Sequence, residues 1–399
     1  MISSPTTQTT RRQSNRKFLI GLYMAAVFFY WAAMYLYVPT LPVYAKTITS
    51  DIALVGVILA QYGLWQAIVR LPLGIISDWL GRRKPFLIGG FILSALGAWV
   101  MGSATDANGL MVGRAITGFA AATWVPLVVV FSSLFPPEEA VRATSLLTVV
   151  NSVSRMLATG ANGFLNDLGG YSLAFTAAVV VSGLAVLVVL PAREERLPPK
   201  TPNLKNFAVL ITRPDVLTPS LLSAVLQYAS WASTFGFIPI LAKQLQASDV
   251  VQGLLMSMNL GVMTVGNLFA TAIVKRLGAR TMVYASYVLM SAGILLAAFA
   301  NAIWMVVAAQ VLTGLASGVG YPVLMGMSIQ QVDNAERATA MGLHQAVYAI
   351  GMFAGPWLSG ILADAVGIQP MFGVTAAGCL ILGVAGAQFL KAKQKSGKS

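Results

Sequence analysis

Charge is what this sequence has least of. Only 10% of its 399 residues are charged and 57% are hydrophobic, whereas soluble domains run nearer a quarter charged. It has one cysteine, Cys379, and one histidine, His344. A lone cysteine excludes an internal disulfide and says nothing about compartment. There is no Gly-Lys-Ser/Thr phosphate loop, no metal-ligand cluster and no nucleophile set beside a base. ATP hydrolysis and other enzymatic roles are therefore not expected, and no cofactor is called for. All thirteen acidic residues fall in connecting stretches or at the ends of apolar runs.

What the chain does have is hydrophobic length. Apolar runs of about twenty residues recur throughout, the helix length that crosses ~30 Å of hydrocarbon. Backbone groups in lipid must be satisfied within the segment, so the runs are predicted as helices. Twelve spans are expected, at about 18–38, 52–76, 85–104, 109–132, 142–166, 171–190, 217–239, 250–273, 281–300, 303–327, 338–362 and 370–390. The fold class is thus an all-α polytopic membrane protein.

A net charge of +13 in a soluble chain would suggest nucleic acid. Here the cations gather in alternate loops, so no nucleic-acid partner is expected. Arg82, Arg83, Lys84, Arg142, Arg213, Lys275, Arg276, Arg280 and Arg337 share one side with both tails, against Lys46 and Lys243 on the other. By the positive-inside rule both termini are cytoplasmic, in a plasma (bacterial inner) membrane. Residues 1–17 read as a polar tail rather than a cleavable leader, because the following run is too long and lacks a small-residue cleavage site. The stretch 191–216, rich in proline and charge, divides a half at 18–190 from a half at 217–390, and 391–399 form a second tail. Leu204, Phe207, Ala208 and Ile211 recur in that linker at helical spacing, which fits a surface helix or a plain flexible connection.

The halves repeat. Gly118 and Pro126 correspond to Gly314 and Pro322, 196 positions on, and Arg142-Ala-Thr matches Arg337-Ala-Thr one residue off that register. A finer pattern, Gly-x-x-x-Asp-x-x-Gly, occurs at Gly74/Asp78/Gly81, Gly163/Asp167/Gly170 and Gly360/Asp364/Gly367, with a worn copy at Thr271, Lys275 and Gly278. It closes spans 2, 5, 8 and 11, alternately on opposite faces. The copy at Gly74-Ile-Ile-Ser-Asp78-Trp-Leu-Gly81-Arg82-Arg83-Lys84 resembles the loop between helices 2 and 3 of the major facilitator superfamily of secondary transporters. The resemblance covers the whole chain and implies inverted three-helix repeats doubled into two six-helix halves. It also implies that Asp78 and Arg82 latch the halves together on the cytoplasmic side, where a topology signal and helix cap is the plainer alternative.

Several intramembrane residues are candidates for function. Arg114 opens Arg-Ala-Ile-Thr-Gly118, similar to the Arg-x-x-x-Gly motif of proton-coupled members, yet it lies about five residues from the outer edge and a snorkelling role also fits. Arg155 sits about thirteen residues into span 5, too deep to reach either interface easily. Thr144, Thr148, Asn151, Arg155, Thr159, Asn162 and Asn166 recur every three or four residues and form one polar face, turned either to a water-filled cavity or to a polar seam between helices. His344 is the only side chain with a near-neutral reference pKa and fits either a coupling proton or a neutral interhelical hydrogen bond. Spans 1, 4, 7 and 10 line the cavity in relatives, which adds Tyr30, Trp31, Met34, Tyr35, Gln227, Trp231, Thr234, Gln310 and Tyr321. Arg70 reads as a snorkelling residue or a latch partner.

These features predict a secondary transporter of a small organic solute, anionic or amphipathic, that works by alternating access. The alternative is a proton-coupled multidrug efflux antiporter. Against it, span 5 reads Ala158-Thr159-Gly160-Ala161-Asn162-Gly163 without the Gly-Pro of the antiporter signature, and Gly355-Pro356 stands in span 11 instead. A lipid flippase and a non-transporting membrane sensor rank lower. The expected partners are the solute, protons or a counter-ion, and membrane lipids, with the chain as a monomer.

Overall fold

A computed structural model describes residues 5–136, 139–192, 209–333 and 336–390. The linker positions Leu204, Phe207 and Ala208 lie outside the described residues, as do the cations of residues 391–399. Among the described residues the chain is helical and contains no strand. Span 1 is Pro5–Tyr35, followed by a short helix, Leu41–Ile48. Spans 2 and 3 are Ile52–Leu80 and Lys84–Gly102. Span 4 is two consecutive pieces, Ala107–Ala122 and Trp124–Ser133. Ala140–Val189 is continuous by hydrogen bonding but breaks at Gly169 and Gly170, where φ is −154° and 68°. Fifty helical residues would run about 75 Å, more than twice the hydrocarbon thickness, so the break makes it spans 5 and 6. Span 7 runs Pro214–Ala232, then a π-helical turn, Ser233–Phe237, then Ile238–Gln244. Spans 8 to 12 are Asp249–Leu277, Ala279–Ala298, Ile303–Ile329, Arg337–Val366 and Ile368–Gln388. Among the described residues twelve helices long and apolar enough to cross a membrane result.

Local chemistry accounts for the ends. Asp51, Asp106 and Ser248 cap spans 2, 4 and 8, accepting from the backbone N–H of Leu54, Gly109 and Val251. The glycines with positive φ among the described residues are Gly81, Gly170, Gly278 and Gly367. These are the last glycines of the four motif copies, so the motif marks where spans 2, 5, 8 and 11 must end in a conformation that a side chain resists. Lys84 donates to the carbonyls of Leu190 and Ala192 at the end of span 6, and Arg280 donates to that of Gln388 at the end of span 12. The two cations stand 196 positions apart, so each half seals its sixth helix in the same way.

The halves meet along spans 2 and 11 and along spans 5 and 8. At the end of the bundle away from the Asp78–Lys84 loop they are in backbone contact. Gly56 lies against Pro356 and Gly360, and a Cβ on Gly253 would stand 2.6 Å from the Thr159 carbonyl. At the loop end the seam is looser: a Cβ on Gly342 would meet only Leu71, at 4.0 Å. The outer faces carry exposed Leu157, Phe164, Leu268, Phe269 and Ile381, as a lipid-facing surface requires.

Candidate substrate cavity

The polar face of span 5 shows where the interior opens. Thr144 and Thr148 are exposed, Asn151 and Arg155 are half-buried, and Thr159, Asn162 and Asn166 are buried. One helical stripe therefore passes from solvent to sealed core, with the open end at the Asp78–Lys84 loop. Beyond Arg155 the seal is a hydrogen-bonded cluster. Asn162 Nδ2 donates to the Leu36 carbonyl at 2.7 Å, Thr40 Oγ1 donates to Asn162 Oδ1 at 3.1 Å, and Asn166 Nδ2 donates to Asp249 Oδ2 at 2.9 Å. Asp249 also accepts from Lys243 Nζ at 3.0 Å and Gln252 Nε2 at 3.3 Å, so its carboxylate ties span 5 to spans 7 and 8. Sequence reasoning missed Asp249 and Thr40. Asp249 was visible only as an acid at a span end.

Three arginines enter the interior from the first half. Arg155 stacks on Tyr35, its Cζ 4.2 Å from the ring centroid, and lies 5.9 Å from that of Trp31. Arg114 stacks on Tyr62 at 4.4 Å and is only 2% exposed, so it faces inward rather than snorkelling. Arg70 crosses to the second half, where its Nη1 donates to the Tyr348 hydroxyl at 2.8 Å. Among the described residues no carboxylate pairs with any of them. The ion pairs lie at span ends: Arg16 and Arg142 with Glu139, Arg83 with Asp78, Arg213 with Asp215, Lys243 with Asp249. Nε of Arg70, Arg114 and Arg155 and Nη1 of Arg114 are buried without a hydrogen-bond partner. Buried guanidinium nitrogens without partners are costly unless an acceptor reaches them.

The remaining candidates divide. Trp31, Tyr35 and Arg155 cluster, with Trp124 edge-on to Trp31 at 5.4 Å, and Asn151 lies one helical turn before Arg155, half-buried. Trp231, on span 7, stacks on Tyr62 at 5.2 Å and on Phe235 at 4.8 Å. Gln227 and Tyr321 are half-buried, and Tyr321 meets Tyr348 edge-on at 5.6 Å. Of three others, Tyr30 and Gln310 hold helices together, whereas Thr159 bonds within its own helix. Tyr30 donates to the Ala120 carbonyl at the break in span 4. Gln310 Oε1 accepts from Thr234 at 2.9 Å and from Asn259 at 3.2 Å. Thr159 returns its hydroxyl to the Arg155 carbonyl at 2.8 Å.

His344 is fully buried, with Nδ1 3.1 Å from Ser220 Oγ and Nε2 unpartnered. Ser220 gives its proton to the Val216 carbonyl at 2.7 Å, so the network assigns the donor role to Nδ1. At the loop, Asp78 pairs with Arg83 rather than Arg82, which is exposed, while Gly74 packs near Val125 of span 4 and Gly81 caps span 2. Among the described residues no ion pair of Asp78 or Arg82 reaches the second half at this end.

Comparison with known proteins agrees with this architecture. The family model described as Major Facilitator Superfamily matches residues 23–222 and again 220–399. The tetracycline resistance protein, class H, of Pasteurella multocida is 28% identical over 344 residues, 81% of this chain and 83% of that one. A POT family transporter solved in complex with a thioalcohol conjugated peptide has a TM-score of 0.81 at 10% identity, covering 93% of this chain and 96% of that one. The nucleoside transporter NupG has a TM-score of 0.76 at 17% identity, covering 94% of this chain and 100% of that one. At these identities the solved structures speak for the fold alone.

Proposed function

The chain belongs to the Major Facilitator Superfamily, and from that premise we propose that it carries a small organic solute, anionic or amphipathic, by alternating access. The observation that supports this reading is the set of interior guanidinium groups with no carboxylate among the described residues, Arg155 being the half-buried one within reach of an open mouth. In this reading the open end is cytoplasmic, and the halves at 18–190 and 217–390 rock about the linker at 191–216. Both tails lie in the cytoplasm of a cell with the protein in its inner membrane. The monomer is the working unit. Asp78 and Arg82 latch the cytoplasmic end in the opposite state, and Arg114 and His344 serve coupling to protons or a counter-ion.

The test is thermal stability of the purified protein against organic anions, cations and neutral amphiphiles, beside Arg155→Gln. Selective stabilisation by anions, at least tenfold weaker in Arg155→Gln, is expected; a ligand at 100 times its Kd raises stability by about 2.7 kcal/mol. Stabilisation by lipophilic cations, unchanged in the variant, would overturn this reading in favour of efflux antiport. That second reading is supported by the tetracycline-resistance relative.

A further inference from the structure

The two halves touch in the interior through a ladder of rings capped at both ends by cations. In order it runs Arg114, Tyr62, Trp231, Phe235, Tyr35, Arg155. Arg114 Cζ is 4.4 Å above Tyr62, Tyr62 and Trp231 lie 5.2 Å apart at 16°, and Trp231 and Phe235 lie 4.8 Å apart at 26°. Phe235 meets Tyr35 edge-on at 6.5 Å, and Arg155 Cζ is 4.2 Å from Tyr35. The four rings are at most 9% exposed. Tyr62 and Tyr35 belong to the first half, whereas Trp231 and Phe235 stand on span 7 at and beside its π-helical turn.

We infer that the substrate is a planar aromatic anion, its ring taking a place in this ladder and its acid group lying on Arg155; the inference rests on the anion reading proposed above. Alternating access moves span 7 away from spans 1 and 2, so the contacts Tyr62–Trp231 and Phe235–Tyr35 must part during each cycle. Parting leaves flat ring faces wet, which is unfavourable for aromatic surface. A flat solute restores the stacking from within the opened seam, where a saturated solute of equal size fills space but offers no face. Each guanidinium carbon already lies over a ring, and neither cation has a carboxylate partner among the described residues, so its N–H donors can take a carboxylate, sulfonate or phosphate. Arg155 rather than Arg114 receives the acid, because Arg155 is half-buried at the open mouth and Arg114 is 2% exposed behind Tyr62. Asn151, one turn nearer the mouth, has a buried and unpartnered amide oxygen beside the same space. Tyr62 and Phe235, neither of them prominent in the sequence, thereby become specificity-determining residues.

The experiment is calorimetric titration of the purified full-length protein with three probes of one size: 2-naphthoate, its saturated decahydro analogue and neutral 2-naphthamide. The expected order places 2-naphthoate at least tenfold tighter than either other probe. Tyr62→Leu is expected to bring 2-naphthoate and the saturated acid within threefold of one another, and Arg155→Gln to erase the advantage of acid over amide. The comparison of probes on the unaltered protein decides the matter even where a variant fails to fold. Equal binding of the aromatic and saturated acids would overturn the ladder inference and leave the anion reading standing. Binding of the amide with no response to either acid, or no binding by any of the three at millimolar concentration, would overturn both.

Discussion

Residues 196 apart occupy equivalent places in the two halves, and their differences show where the molecule is specialised. Arg114 has Gln310 as its counterpart, and Tyr35 has Trp231. Gln310 is satisfied by Thr234 and Asn259, whereas two nitrogens of Arg114 have no partner. The first half thus carries the interior charge and the second a neutral, hydrogen-bonded frame. The sequence left Arg114 open between an inward and a snorkelling role and offered Gln310 only through the family resemblance; whether a polar side chain is satisfied depends on neighbours from other helices, which spacing does not reveal. Asp249 makes the same point: in the sequence it is an acid at a span end, and in three dimensions it receives Asn166 from one half and Lys243 from the other. Asp249→Asn removes the ion pair while keeping an acceptor for Asn166. Lys243 is partly solvated, so the loss is modest, on the order of 1 kcal/mol, or roughly fivefold in the closed-to-open ratio of that end. Spin labels at Thr47 and Gln246 are expected to report a larger long-distance population in the variant, and superimposable distance distributions would count against a latch at Asp249.

At the scale of elements, the closed seam is built from glycine. Gly56 of span 2 lies against the Pro356 carbonyl and Gly360 of span 11. Backbone on both sides cannot yield as a side-chain tip can, so Gly56→Val should cost the closed seam about 1–3 kcal/mol, as overpacking generally does. The measurement is the distance between labels at the sealed ends of spans 2 and 11, expected to lengthen; an unchanged distance with unchanged melting would show that the seam accommodates a side chain. The twelve crossings were legible because length and hydropathy alone decide what can span hydrocarbon. The ends of spans 2, 5, 8 and 11 were legible because the last glycine of each motif copy is required by a positive φ. Three irregularities were not anticipated: the helix Leu41–Ile48, the break at Thr123 and the π-helical turn in span 7. Each has a proline close by, at Pro39 and Pro42, Pro126 and Pro239. A proline in a membrane helix announces that a carbonyl four residues earlier loses its partner, but whether the chain kinks, breaks or winds into a π turn is decided by the helices packed around it.

For the whole molecule, alternating access as proposed above asks one chain to make two closed ends in turn, and among the described residues the end tied by Asp249 is the closed one here. Closing the loop end needs a tie to replace Asp249 and its partners, and the loop supplies charged groups for it. Asp78 now pairs with Arg83, both on the first half, and Arg82 points to solvent. Span 11 begins at Arg337 on the same end, and its first-turn N–H groups present the positive end of a helix. When the halves rock, Asp78 can exchange part of its contact with Arg83 for that helix end, and Arg82 is free to follow. Asp78→Asn weakens the tie in one state and leaves the Asp249 cluster of the other intact, so the balance should move toward the conformation open at the loop end. A charge at a helix N-terminus is worth about 0.3–1 kcal/mol when exposed, or roughly a two- to fivefold change in populations. The chain suits the measurement, since Cys379 is its one cysteine and is buried. With Cys379→Ser as background, a cysteine at Leu80 paired with one at Met341 gives a distance across the loop-end seam. Asp78→Asn is expected to enrich the longer separation, and adding substrate should draw the distribution back. If the variant leaves the distribution as it was while Asp249→Asn still moves the opposite end, Asp78 serves only as a cap and topology signal, and the loop-end closure must be sought in the Arg70–Tyr348 contact instead.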